Sequence, residues 1–443
     1  MSELLMRIET AEERRLTPEE SFRITAERET RLSRLLMTYI TTGLVFMLFP
    51  GTFLGVWNLL AISSRRAPGS VSAAWIQAHG HAQIFGWIGT FILGIGFYSI
   101  PKLRRQRGFA LPAAWASWVL WTSGASLRWL AGVYQWQWRI LLPLSATMEV
   151  IAFLIFFRSV SGHRPEDSGK KRLEKWVLVV IAASLGLMLT LLVNLGATLW
   201  LALRGSSPAL PPEFDQRFLV LQTSGFLVPF VWGFSAKWLP VFLGLRPVRA
   251  RLLLVAVAIN SAGVIAGLAG WTLAASYLLL AAMITAIRAL RLFERPQQPA
   301  KVKGVHSSFP VFIRLAYVWA TIAAGLAIWA ALGTNSHGIW GASRHALTVG
   351  FLALMVFAIG QRVLPAFSGM RLLFSTRLMF GAMLLLCAGC LLRVGSEILA
   401  YQQFLRSAWS WLPVSAVCEM TAVTLFAANL LVTFARRRQP ANT

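Results

Sequence analysis

The sequence is short of charge, of acid and of cysteine. Of its 443 residues only 13% are charged while 56% are apolar, and the mean hydropathy is +0.62. A soluble chain carries about a quarter charged residues, and no water-soluble core could hide an apolar excess of this size. The chain is therefore expected to be an integral membrane protein. Its apolar runs take up well over half the length and leave no room for a separate soluble domain. Three cysteines, Cys387, Cys390 and Cys418, all fall inside apolar stretches, which excludes a disulfide framework. Asp and Glu number 17 against 42 Lys and Arg, a net charge of +25 that could suggest a nucleic-acid partner. Its distribution excludes one. With the N-terminus assigned to the cytoplasm, 31 basic residues fall on that side and 7 on the other, and Arg128, Lys237, Arg362 and Arg393 lie within or at the edges of spans. That asymmetry is the positive-inside bias of a multi-pass protein in a lipid bilayer. The first thirty residues, rich in Glu and Arg, show no cleavable signal-peptide pattern.

What is present is apolarity on the scale of a bilayer. A helix needs about 20 residues to cross roughly 30 Å of hydrocarbon. Twelve runs qualify, near 35–60, 74–100, 111–132, 139–160, 175–203, 214–243, 250–270, 272–293, 310–333, 342–366, 375–398 and 410–435. An even count puts both termini in the cytoplasm. The expected organisation is a charged cytoplasmic segment over 1–34, a membrane domain over 35–436 and a tail over 437–443. Thr17-Pro18-Glu19-Glu20 offers an N-cap, a proline at the first helical position and a capping-box Glu, which predicts a charged helix running from there into the membrane. Trp129, Trp136, Trp138, Trp409 and Trp411 sit at span ends, as an aromatic belt requires.

Spans 2, 6 and 10 share a skeleton. His81 is followed at fixed steps by Gly86, Pro101 and Arg107, His345 by Gly350, Pro365 and Arg371, and Val220 by Gly225, Pro240 and Arg246. With only 19 prolines in the chain, three coincident registers indicate an internal repeat. The fold expected is all-α, with twelve transmembrane helices in three pseudo-repeated four-helix units over 35–160, 175–293 and 310–436. The first and third units also share a membrane arginine (Arg128, Arg393) and a membrane glutamate (Glu149, Glu419), which the middle unit lacks.

Ionisable side chains inside a bilayer are costly, and their default reading is functional. His81 and His345 stand about 30 Å above the proline of their own helix, so both lie toward the outer face, with Arg128 and Arg393 near them and the two glutamates somewhat deeper. Two neutral imidazoles on two helices can supply the axial bonds of a haem iron, and two arginines can receive its propionates. A bis-histidine haem b between spans 2 and 10 follows as the expectation. Two alternatives stay open: each histidine bonds only to a neighbouring helix, or Arg128 and Arg393 neutralise Glu149 and Glu419. His79 lies about 200° around the helix from His81, so the two should not face one ligand; it is a candidate for a second metal or for a hydrogen bond at the rim. His337 lies in an outer loop, and His163 and His306 lie in cytoplasmic loops. Cys387-x-x-Cys390 reads as small core residues. Met148 and Cys418, each preceding a repeated glutamate, are soft ligands that would suit copper(I).

These residues carry a resemblance. His79-Gly-His81-Ala-Gln-Ile-Phe-Gly86 resembles the HxHxxxFG stretch of the NnrS family, and His345-Ala-Leu-Thr-Val-Gly350, with Met355, Arg362, Gly369 and Arg371 after it, resembles that family's HALTVG segment and the GxR beyond. The sequence departs from the pattern at Ala82-Gln83, where an acidic residue is usual, and at Pro365-Ala-Phe-Ser, where the family usually has a histidine. The family is similar to haem-copper oxidase subunit I, whose twelve helices form three arcs and whose helices 2 and 10 hold the low-spin haem. The resemblance thus implies His81 (or His79) and His345 as axial ligands, a bacterial inner membrane, haem with copper possible, and a role in nitric oxide stress or denitrification, with nitric oxide or a redox protein as partner. Spans 6 and 7 contain no histidine, so the oxidase type of binuclear centre has no ligands there. The competing expectation is a proton-coupled secondary transporter using the same His, Arg and Glu set. Common twelve-span carriers divide six and six, whereas the register here divides four, four and four.

Overall fold

A computed structural model describes residues 18–104, 109–161, 174–333, 337–369 and 371–436. Thr17, Arg107, His163 and the tail over 437–443 lie outside the described residues, as does the side chain of His337. The described chain is helical throughout and contains no strand. The first rod, α1, spans 18–65 as Pro18–Phe46, a π-helical stretch Met47–Phe53 and Leu54–Arg65. It is longer than the 35–60 expected, because the charged helix that begins at Pro18 enters the membrane without a break. Pro50 falls in the π stretch, where a wide turn tolerates a missing N–H. Arg66, at φ 50°, ends the rod.

The remaining helices are α2 (Ala73–Leu103), α3 (Leu111–Tyr134), α4 (Trp138–Ser161), α5 (Lys175–Arg204), α6 (Pro212–Leu243), α7 (Ala250–Leu268), α8 (Thr272–Leu290), α9 (Phe309–Leu332), α10 (337–367), α11 (Thr376–Tyr401) and α12 (Ala408–Ala435). Eleven of these rods, among the described residues, are long and apolar enough to cross a membrane. The exception, α3, has 24 residues but is diluted by Thr122, Ser123, Ser126 and Arg128. The large apolar side chains left exposed, such as Leu203, Trp271, Ile265 and Val311, fit a lipid-facing surface far larger than the apolar patches of soluble monomers.

The helices lie in two layers. Along their most apolar stretches α2 is 89% buried, α10 67% and α6 56%, and no other span exceeds 50%. These three touch pairwise through aromatic rings: Phe85 with Phe226, Trp87 with Phe357, and Trp238 with Phe367. Around them, α3 packs on α4, α7 on α8 and α11 on α12, and α12 returns to α1. The inner helices share one irregularity. Each widens into a π segment, Ala82–Gly89, Leu221–Leu227 and Ala346–Ala353, immediately after His81, Val220 and His345. π turns are rare and gather at functional sites, and here they sit where the sequence register had aligned these three residues.

Candidate functional site

A chamber of about 450 Å³ opens among the inner helices, α1, α5, α11 and α12, a size usual for a cofactor or small-ligand site. Its deeper wall is apolar, with Ile84, Ile88, Leu227, Leu352 and Leu386. Its outer part holds His79, His81, His345, Arg128, Arg393 and Glu419. His81 and His345 both stand eight residues inside their helices, about 12 Å from the end. Glu149 and Glu419 both stand eleven residues inside theirs, about 17 Å. The expected set is therefore brought together at matched depths.

The mouth is fixed by side chains at the start of α2. Trp75 donates to the carbonyl of Val133 at 3.0 Å, and the amide of Gln77 both donates to and accepts from the backbone of Leu210. Two residues on, His79 donates Nδ1–H to the carbonyl of Gly51 at 2.8 Å. Its ring lies flat on Gly55, where any Cβ would come within 2.6 Å of Cε1. A carbonyl only accepts, so the Nδ1 proton is assigned and Nε2 is left without a partner among the described residues.

His81 turns the other way. Its Nε2 donates to Glu149 at 2.7 Å, its ring stacks on Phe85 at 4.5 Å, and Glu149 is wholly buried with Asn194 of α5 approaching its second oxygen at 3.4 Å. Glu149 fits because Gly124 faces it from α3, where a Cβ would be 2.9 Å from its Cγ. Gly389 of α11 makes the same room for Glu419, at 2.8 Å. His79 and His81 point to different helices, and both residues line the chamber.

His345 is held by a residue the sequence reading missed. Its Nδ1 lies 2.9 Å from both the Gly341 carbonyl and Glu397. Glu397 also binds Arg393, four residues earlier on α11, at 3.2 Å. The Nε2 of His345 has, among the described residues, only Arg393 as a hydrogen-bonding neighbour, at 3.5 Å. Neither repeated arginine pairs with its repeated glutamate: Glu149 is taken by His81 and Arg393 by Glu397. Four residues after Arg128, where Glu397 follows Arg393, stands Gly132, which packs on Ala78. Glu397 was detectable as a carboxylate one helical turn from Arg393 in an apolar span. Asn194 and Asp215 also line the chamber.

The chamber collects unpaired polar atoms. Arg128 Nη1, Arg393 Nη1, Trp87 Nε1, Asn58 Oδ1, Gln83 Oε1 and Glu419 Oε1 are buried without a hydrogen-bond partner among the described residues, and all six residues line it. Buried polar groups are nearly always bonded in folded proteins, so this concentration marks a place built for a polar or charged ligand. Among the described residues no three His, Cys, Asp or Glu side chains form a metal cage. Cys387, Cys390 and Cys418 are free thiols, and Cys390 packs below the His345 carbonyl at 3.9 Å.

Fold and site together define a polytopic helical membrane protein with an internal chamber walled by histidine and arginine. The sequence matches the NnrS protein family over residues 39–438. The chain belongs to that family. No curated protein is similar enough to the chain to match it.

Proposed function

We propose that the chamber holds one haem b, and that the protein serves nitric oxide tolerance or denitrification-linked redox or sensing in the bacterial inner membrane, with both termini in the cytoplasm. One observation carries the haem reading. His79 of α2 and His345 of α10 each have Nδ1 committed to an acceptor and Nε2 free of a strong partner, in one cavity where Arg128 and Arg393 each retain an unpaired buried N–H. Tying Nδ1 to a carbonyl or carboxylate while Nε2 stays open is how proteins prepare a histidine to bind a metal. The unpaired guanidinium N–H groups suit carboxylates such as haem propionates.

Within this reading His345 and a histidine of α2 hold the iron, and His79 is the better placed of the two candidates, since the Nε2 of His81 is spent on Glu149. Bound haem would supply a one-electron iron couple. The protein's own residues do the rest. Glu397 orients His345 and neutralises Arg393, Glu149 fixes His81, and the apolar floor excludes water. The matched π segments and the matched depths of histidine and glutamate support a three-unit architecture like that of the oxidase subunit. The nitric oxide role rests on the family resemblance.

The test is an optical and metal analysis of purified protein beside His79→Ala, His81→Ala and His345→Ala. Haem is expected in the wild type, strongly reduced in His345→Ala and His79→Ala, and retained with an altered spectrum in His81→Ala. Loss in His81→Ala with retention in His79→Ala would return the axial role to His81. Colourless protein that moves a substrate into liposomes would replace the haem reading with transport.

A further inference from the structure

The chamber has a smaller neighbour. A second cavity, of about 270 Å³, lies between α6, α7, α8, α9 and α10 and shares Gln216, Leu219, Trp340, Arg344 and Thr348 with the chamber wall. In the middle third of the chain it takes the place that the His, Arg and Glu set takes in the outer thirds. Val220 stands at the register position of His81 and His345, next to its own π segment. Gly263 lies against Leu279 of α8, as Gly124 lies against Glu149 and Gly389 against Glu419. Four residues beyond these glycines come Gly267, Arg128 and Arg393 respectively. Even the side-chain contact is kept: His345 Nε2 is 3.5 Å from Arg393, and a Cβ on Gly267 would be 3.1 Å from Val220. Val, Gly and Leu therefore replace His, Arg and Glu. The positions that carry buried charge in the outer thirds are neutral here, and the charged residues that do line this cavity, Glu213, Arg217 and Arg344, are exposed, so a charged ligand inside would find no buried counter-charge and a lipophilic one is favoured.

Two polar atoms on the cavity wall narrow the class further. Asn260, 3% exposed, donates Nδ2 to the Ser224 carbonyl at 2.7 Å. That carbonyl only accepts, so the amide cannot flip without losing the bond. Its Oδ1 is left as an acceptor with no partner among the described residues, in a side chain that lines the cavity. Ser224, in the π segment and also lining the cavity, has a hydroxyl with no partner among the described residues. An unpaired acceptor beside an unpaired hydroxyl suits a single hydroxyl group on a ligand, which donates to Asn260 Oδ1 and accepts from Ser224 Oγ.

We propose that this cavity binds an uncharged, membrane-soluble molecule whose polar group is a hydroxyl, the shared chemistry of aliphatic alcohols and of phenols or hydroquinones. The proposal does not depend on haem in the larger chamber. Purified full-length protein in detergent is dialysed anaerobically to equilibrium against tetramethylhydroquinone, against the corresponding quinone and against 1-decanol. Two variants accompany it: Ala324→Leu, which fills the cavity from α9, and Asn260→Leu, which removes the acceptor. The wild type is expected to bind about one equivalent of a hydroxyl probe. Ala324→Leu should bind none in excess of micelles, and Asn260→Leu should bind roughly five- to tenfold more weakly, the worth of one hydrogen bond. The quinone, with no hydrogen to donate to Asn260 Oδ1, should bind the wild type more weakly than the hydroquinone by a similar factor. Binding of the hydroquinone alone assigns a phenolic ligand, and binding of decanol alone an aliphatic one. The hydroquinone–quinone comparison needs no variant, so it stands even where a substitution fails to fold. Equal binding of hydroquinone and quinone, no binding of either hydroxyl probe, or equal binding by wild type and a folded Ala324→Leu overturns the proposal.

Discussion

Glu397 is the point at which the chamber is most exposed to a single change. Its carboxylate is 3% exposed and bonds His345 at 2.9 Å and Arg393 at 3.2 Å. Arg393 already has Nη1 unpaired. Replacing Glu397 by Ala would leave that guanidinium buried with no anionic partner, a loss that costs about 3–5 kcal/mol when one member of a buried pair is removed. Glu397→Gln keeps an acceptor but loses the charge, and about 1–3 kcal/mol is expected. The double variant Arg393→Leu/Glu397→Leu should be more stable than Glu397→Ala, because it removes both charges. Thermal unfolding in detergent, monitored by helical circular dichroism, reads the stability order. Haem occupancy in the same preparations reads the second consequence, since loss of a residue orienting a metal-binding histidine typically weakens metal affinity by about 10–100-fold. A Glu397→Ala protein with wild-type melting and wild-type haem would refute the reasoning. So would a double variant less stable than the single one.

Three further outcomes follow from other parts of the structure. Gly55→Ala places a methyl 2.6 Å from the His79 ring, so haem occupancy should fall while helix content is kept, as absorbance and circular dichroism would show; an unaltered spectrum would remove His79 from the site. Gly124→Ala and Gly389→Ala each overpack a buried glutamate, at 2.9 and 2.8 Å, and should each cost about 1–3 kcal/mol in thermal or denaturant unfolding, the first also loosening His81. At the membrane edge, the hydrogen bond from Lys237 holds the Glu174 carboxyl below its ordinary range, with Trp176 adding to it. A depressed carboxyl stabilises the fold above its unfolded pKa and loses that contribution as pH falls through the folded value. Glu174→Gln should therefore cost under about 1 kcal/mol at pH 7, since Glu174 is 61% exposed, and nothing once the pH lies well below the carboxylate range, as melting curves at the two pH values would reveal.

Much of this arrangement is legible in the sequence, and the parts that are not have physical reasons. Apolar run length gave twelve helices, eleven of which are long and apolar enough to cross a membrane among the described residues, because about 20 residues must cross the hydrocarbon whatever their neighbours are. The histidines and glutamates fall at matched depths because depth follows from counting residues along a rigid helix. Partners across helices are another matter. A pairing of Glu149 with Arg128 was left open as one alternative, and Glu149 is instead bound to His81, with Asn194 of α5 nearby, because helix rotation and crossing decide which side chains meet and neither can be counted along the chain. Glu397 was missed because a search for repetition passes over residues that break it. The π segments carry no sequence mark of their own, although their onset at His81, Val220 and His345 gives the shared register a structural cause. His79 stood second to His81 because the repeat register aligns His81 with His345, and a register does not reveal that a carboxylate on another helix takes the Nε2 of His81.

The central claim is that the chamber among α2, α6 and α10 is a haem site closed by a histidine from each of the two outer thirds. Its most direct test is the reduced-minus-oxidised absorption spectrum of the purified protein, recorded with iron content beside His345→Ala. A haem b spectrum with about one iron per chain in the wild type, and its loss in a folded His345→Ala protein, is the expected result. A wild type with no haem, or a His345→Ala variant with an unchanged spectrum, would contradict it.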